Sequence, residues 1–322
     1  MQIRRLVKSG LSSFTVALPK DWIDKNKLDK GDFLYIDEVD NTLRVSAKSK
    51  KEKPERKEIV IHTEGKSQKR IRREIRSAYL DDYYKIYIKG SNIRSMVADI
   101  KKDVHDLVSL ETIEEAHDKL IARSFLDFSD VSIKDLIRRL DNITRSMMSD
   151  SIACIPSYSD EYDTAKIVTE RDADINRLAF LVFKILKACV KDINVCKKLD
   201  LSYLQVLKYW QLAFTIEKIA DEVKRITRFI KQLHEKKVKF NKKALITLYQ
   251  EVKENYETLM KAFYKKDFVL SDEIYTITPA LMKKCEKYFE DNKSVETSEI
   301  AGKLKGIVSQ SADISKVIRY LN

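Results

Sequence analysis

The spacing of apolar residues changes along the chain and divides it into stretches of different structure. Residues 1–48 carry short alternating runs between turn residues. Residues 2–7 and 14–18 read as strands around a Lys8-Ser-Gly-Leu-Ser-Ser13 loop. Pro19 opens a short helix over 20–27, because proline is tolerated in a first helical turn. A Leu28-Asp-Lys-Gly-Asp32 turn follows, and 33–38 with 42–47 predict a hairpin across Asp40-Asn41. Residues 49–57 are charged, contain Pro54 and hold no apolar residue, which makes them a linker. Residues 58–128 alternate strand and helix: strand 58–62, basic helix 67–80, strand 84–88 and helix 93–108. Residues 110–125 read as a strand followed by a helix, completing a small α/β unit. From residue 133 the apolar period becomes helical, with six helices near 132–152, 161–191, 200–234, 242–266, 270–290 and 296–321. Their lengths predict an antiparallel bundle over 129–322. The fold class is therefore multidomain α+β.

Composition narrows the function. The chain has 322 residues, 62 Lys and Arg against 50 Asp and Glu, and a formal charge of +12. That balance favours an anionic partner, either nucleic acid or an acidic membrane surface. Its 43% hydrophobic content is enough for a core, and six Gly and four Pro favour long helices. Cys154, Cys189, Cys196 and Cys285 show no C-x-x-C spacing and read as reduced core thiols of a cytoplasmic protein. The four histidines are scattered. The N-terminus lacks the apolar core of a signal peptide, and the longest apolar run, 178–186, is broken by Lys184, so no membrane insertion is expected. There is no P-loop, dinucleotide fingerprint or Ser/His/Asp constellation, and the chain reads as a non-enzyme. Lys66, Lys69, Arg70, Arg72, Arg73 and Arg76 lie along one helix, where a solvated face is favoured over phosphate contact.

The candidate chemistry lies in two Glu-x-x-x-Asp pairs, Glu170/Asp174 and Glu217/Asp221. With 50 acidic residues in 322, roughly eight acidic i,i+4 pairs arise by chance, so spacing alone is weak. Position strengthens it. The pairs extend the apolar stripes Leu178, Leu181, Ile185 and Val206, Trp210, Ala213. They also lie at matching distances from the polar break 192–200, so an antiparallel hairpin would bring four carboxylates to one level. Carboxylates on a core-facing seam need a partner. The partner is either a metal ion or a basic side chain such as Arg171, Lys218 or Arg225. Oxygen ligands alone do not distinguish Fe, Mn, Mg and Zn, in divalent or trivalent form.

The first 48 residues resemble the AbrB/SpoVT swapped-hairpin family. The resemblance rests on Lys8-Ser-Gly10, Ser13-Phe-Thr-Val-Ala-Leu-Pro19-Lys-Asp-Trp22 and Leu28-Asp-Lys-Gly31-Asp32. It implies a homodimer interlaced through this domain, since so small a unit buries too little surface alone. It also implies DNA binding through Arg4, Arg5, Lys8 and Lys20, with Ser12 and Ser13 donating to phosphate. The Arg pair that many bacterial members carry just after the Pro helix begins is replaced here by Ile23 and Asp24, which points to phosphate contacts over base reading.

Residues 129–322 are similar to the PhoU family, on Asp141-Asn-Ile-Thr-Arg-Ser-Met-Met-Ser-Asp150, Ile167-Val-Thr-Glu-Arg-Asp-Ala-Asp-Ile-Asn-Arg-Leu178 and Ile216-Glu-Lys-Ile-Ala-Asp-Glu-Val-Lys-Arg-Ile226. The resemblance implies a six-helix bundle of two three-helix repeats, with Glu170, Asp174, Glu217 and Asp221 as one metal-holding set. The second repeat has Ser309 where an acid belongs and no acidic pair near 274–278, so one metal site per chain is expected. The middle region resembles the segment joining these two modules in archaeal-type PhoU-like regulators. Together these resemblances imply a DNA-binding transcriptional regulator of phosphate uptake or phosphate-related genes, with a bundle that senses a signal or a protein partner. The alternative is a PhoU-type adaptor that binds a transporter or kinase and does not use DNA.

Overall fold

Turn chemistry shapes the first part of the chain more than packing does. The computed structural model describes residues 3–39, 42–47, 56–159 and 161–320. They fall into two units, Met1–Arg56 and Lys57–Asn322. The expected Asp40-Asn41 turn and linker positions 49–55 lie outside the described residues.

In the first unit, β1 (Val7–Lys8) and β2 (Phe14–Thr15) pair antiparallel. Their loop is closed by Ser9 N–H donating to the Ser13 carbonyl at 2.8 Å, with Gly10 at φ +88°. Pro19 precedes α1 (Lys20–Lys25). In the turn after it, the Asp29 N–H donates to Asp32 Oδ2 at 2.7 Å and Gly31 takes φ +102°. A hairpin of β3 (Tyr35–Val39) and β4 (Thr42–Ser46) completes the unit. The strands expected over 2–7 and 14–18 are each reduced to two paired residues, because β1 and β2 find no further ladder partners within the described residues. No residue with described burial in this unit is buried.

The second unit begins with β5 (Glu58–His62), α2 (Gln68–Leu80), β6 (Lys85–Lys89), α3 (Ile93–His105), β7 (Leu110–Glu115) and β8 (Lys119–Ser124). The sheet order is β5-β6-β8-β7, with β5 parallel to β6 and the other pairs antiparallel. Ile61, Ile86, Ile88, Leu120 and Ala122 pack with Ile71, Ile75 and Tyr79 of α2 and Ile100 and Val104 of α3 in one core. The helix expected at the end of residues 110–125 is instead β8. Its Leu120-Ile-Ala is buried beside β6, and pairing with β6 and β7 overrides the local helical tendency. Basic groups on and just before α2 are committed internally: Lys66 and Arg70 to Glu74, and Arg72 to the buried Asp103 at 2.5 Å.

Gly90 closes β6 against the β5 end. A Cβ there would come within 1.9 Å of Thr63 Oγ1 and 2.8 Å of Glu64 Oε1. Thr63 is fully buried. Gly90→Ala is therefore expected to destabilise the fold by about 1–3 kcal/mol, read as a lower urea midpoint. An unchanged midpoint would show that Thr63 and Glu64 yield freely.

Seven helices follow: α4 (Ile133–Ala153), α5 (Thr164–Lys191), α6 (Ile193–Lys198), α7 (Tyr203–Glu235), α8 (Lys242–Lys265), α9 (Phe268–Asp291) and α10 (Val295–Tyr320). Their starts are set by caps. Ser132, Asp163, Asn241 and Asp267 each accept a backbone N–H, and Ser202 with Gln205 forms a capping box. α6 occupies the break expected at 192–200. Asp192 caps it, and Ile193 and Cys196, three residues apart, are buried. A continuous apolar core runs through these helices. All four cysteines are unpaired and buried, and burial pushes the Cys154 and Cys189 thiols up to about 12. No described helix is long and apolar enough to cross a membrane.

Two buried charges in the bundle, Asp141 and Lys184, have close partners. Asp141, 2% exposed, receives Arg145 through two bonds at 2.8 and 2.9 Å and the Tyr264 hydroxyl at 2.9 Å. Lys184, on α5, is fully buried where the α/β layer meets the bundle. Its ammonium reaches Ser124 Oγ at 3.0 Å and Asp82 at 3.1 Å, 4.3 Å from the Tyr79 ring centre. Beside it, Asp81 pairs with Lys187 and Lys191, and Arg76 lies over Phe180.

Candidate functional site

The face between α5 and α7 gathers Asp172, Glu217 and Asp221, a membership that differs from the expected four. Along α5 the buried line at the N-terminal end runs through Val168, Asp172 and Ile175. Glu170 and Asp174 are exposed. The error is one of phase. Leu178, Leu181 and Ile185 are buried where the α/β layer also covers α5, which widens the buried arc. Extending that stripe toward the N-terminus, where the extra cover is absent, reaches solvent.

On α7 both Glu217 and Asp221 are half-buried. Asp172 joins them, and Lys224 links the helices. The Lys224 ammonium donates to Asp172 Oδ2 at 2.8 Å and lies 2.6 Å from Asp221 Oδ1. Arg225 meets the other Asp221 oxygen at 2.5 Å and Glu222 at 3.2 Å, while Asn176 donates to Asp172 at 3.2 Å. Burial opposes the Lys224 charge, yet the bonds to Asp172 and Asp221 outweigh it and raise its pKa. Arg225, one of the basic residues considered from sequence, is thus a partner. Arg171 instead pairs with Asp150, and Lys218 lies over the Phe214 ring at 4.2 Å.

Among the described residues, Glu217 is the member of this cluster that no basic group bonds directly. Burial, then Asp221 and Asp172, push its carboxyl above the usual range. A folded-state pKa above the unfolded one means stability is complete below the ordinary carboxylate pKa and falls as pH rises through the raised value. Glu217→Gln is therefore expected to stabilise the protein at neutral pH by about 0.5–1 kcal/mol. The gain should vanish in melts taken below the ordinary carboxylate pKa; an equal gain at every pH would contradict this origin.

The expected convergence of Glu170, Asp174, Glu217 and Asp221 on one ion is not found. Among the described residues no group of three or more His, Cys, Asp or Glu is placed to hold a metal. The acids that do gather are already neutralised in part by Lys224 and Arg225. Asp172 was missed because its neighbours Glu170 and Asp174 form the more conspicuous pair. The signal that finds it is its four-residue step from Val168 and three-residue step to Ile175, both buried.

The second set of expected site residues lies in the first unit. Arg4, Arg5, Lys8, Ser12, Ser13 and Lys20 are all exposed, on β1, its approach, the β1–β2 loop and the start of α1. No acidic residue occurs between Ile3 and Lys20.

The family model of the PhoU domain matches residues 137–230. The match spans most of α4, all of α5 and α6, and most of α7, and so contains Asp172, Glu217, Asp221 and Lys224. It supports a PhoU-like protein and suggests a regulator or adaptor of phosphate homeostasis. No curated protein matches the chain.

Proposed function

We propose that the protein is a cytoplasmic, homodimeric DNA-binding regulator of phosphate-related genes whose PhoU-like bundle receives the signal. The observation that carries the DNA and dimer reading is the uncovered state of the first unit. Leu11, Ile3 and Phe33 are 99%, 87% and 83% exposed, with Leu6, Phe14, Val16, Ile36 and Leu43 also outside. A unit with no interior of its own needs a second copy to complete it, as the AbrB/SpoVT resemblance implies. The acid-free stretch from Ile3 to Lys20 then supplies the phosphate contacts. Light scattering on the full chain is expected to give a dimer, and gel shifts to give binding that weakens steeply with salt. A monomer, or no retardation of any genomic fragment at low salt, would remove this reading.

The adaptor reading has its own support on α7, where Tyr203, Leu207, Trp210 and Phe214 form an exposed apolar stripe. In it the first unit only dimerises and the bundle carries a protein partner. A metal ion is a narrower proposal: it would take Glu217 and Asp221 as ligands with Lys224 turned aside, without Glu170 or Asp174. Elemental analysis should then find metal in the wild type and none in Glu217→Ala or Asp221→Ala. Negligible metal in all three would leave the Lys224 network as the role of these acids.

A further inference from the structure

Two cavities flank α8, and Glu254 and Thr258 line both of them. The first, about 290 Å³, lies between α8 and α9. Its α9 wall is apolar at Ile274, Ile277, Ala280 and Leu281, and ends at Lys284, which is bound to Glu251 across the cavity at 2.7 Å. Facing them is Asn255, 4% exposed, and neither its amide nitrogen nor its amide oxygen has a hydrogen-bond partner. Leaving both halves of a buried amide unbonded costs about 1–3 kcal/mol per group, and native interiors rarely tolerate it without a ligand or water.

The second cavity, about 680 Å³, lies between α8 and α4 and is charged. Asp141 is taken by Arg145, and Glu257 is within 3.6 Å of Lys253. Glu254 is the lining acid left over. Against it stand Arg138, Lys261 and Lys265, which make no ion pair among the described residues. Taken together across the shared Glu254 and Thr258, the two cavities make a groove with an unbonded amide beside apolar side chains at one end and basic groups at the other. Lys261 and Lys265 lie roughly 9 and 15 Å along the helix axis from Asn255 at 1.5 Å per residue.

We propose that this groove binds an adenine nucleotide. The adenine ring sits between the α9 side chains and Asn255, whose amide matches the N6–H and N7 of its edge in two bonds. The phosphates reach Arg138, Lys261 and Lys265. The proposal does not depend on the DNA reading, since it concerns the bundle alone.

Calorimetric titration of the full-length protein with ATP, adenosine and inorganic tripolyphosphate tests it. ATP is expected to bind at least tenfold more tightly than either fragment probe. Arg138→Ala with Lys261→Ala, both at exposed positions, should weaken ATP tenfold or more and leave adenosine unchanged. Asn255→Leu, checked for native melting, should weaken ATP and adenosine alike and leave tripolyphosphate unchanged. Tripolyphosphate binding as well as ATP would reduce the site to an anion patch and overturn the proposal. So would absence of ATP binding at millimolar concentration, which would leave Asn255 satisfied by water alone, or ATP binding untouched by the basic-pair substitution.

Discussion

Replacing Arg4, Arg5 and Lys8 together by alanine is expected to abolish DNA binding at physiological salt while the protein stays dimeric. Each phosphate contact contributes about 0.9 to the slope of log affinity against log salt. Three side chains from each of two copies would therefore lower that slope by roughly five. The three residues are exposed and support no buried core, so circular dichroism and light scattering should be unchanged. The same variant separates the two readings of function. A regulator that grips DNA loses its cellular effect, whereas an adaptor that uses the first unit only to pair with a second copy keeps it. Unaltered retardation across a salt series would show that the basic stretch does not meet phosphate.

The largest stability effect is expected at Arg145. Arg145→Met would leave the Asp141 carboxylate buried with no cation beside it, the Tyr264 hydroxyl still donating to it. Burial disfavours the Arg145 charge, but its bonds to Asp141 raise its pKa, so the pair is well engaged. Stripping one partner from such a pair costs about 3–5 kcal/mol, chiefly the penalty of the stranded charge. Asp141→Asn combined with Arg145→Met should recover much of the loss, because the charge is then gone. Urea unfolding of the two variants measures the difference. A double variant no more stable than the single one would place the cost in lost packing of the arginine stem.

The long helices were legible because a 3.6-residue period repeated over many turns leaves little choice of register. The stretch 192–200 shows only as a polar break, since six residues are too few to show a period, and only Asp192 as a cap marks α6. Residues 119–124 misled for a different reason. Leu120, Ile121 and Ala122 are apolar in succession, and a run buried on both sides looks alike in strand and helix. On α5 the acid that faces α7 lies half a turn from the expected pair: Asp172 in place of Glu170 and Asp174. Which face of α5 is buried depends on the α/β layer packing over Phe180 and Lys184, contacts distant in sequence. Lys224 as the bridge was not legible either, because its partner Asp172 lies 52 residues away. The first unit shows the converse. Its turns at Gly10 and Gly31 follow from local chemistry, whereas strand length depends on ladder partners, and among the described residues β1 and β2 have only each other.

The burial of Lys184 bears on how the chain can be cut. A fragment beginning near residue 129 would keep this lysine in α5 but lose Asp82, Ser124 and the Tyr79 ring, and Phe180 would lose Arg76. It would present a bare ammonium and an unshielded aromatic surface where the α/β layer had been. Expression of the bundle alone should therefore yield a sticky, less soluble product. A start at residue 57 keeps the joint intact and should melt in a single transition.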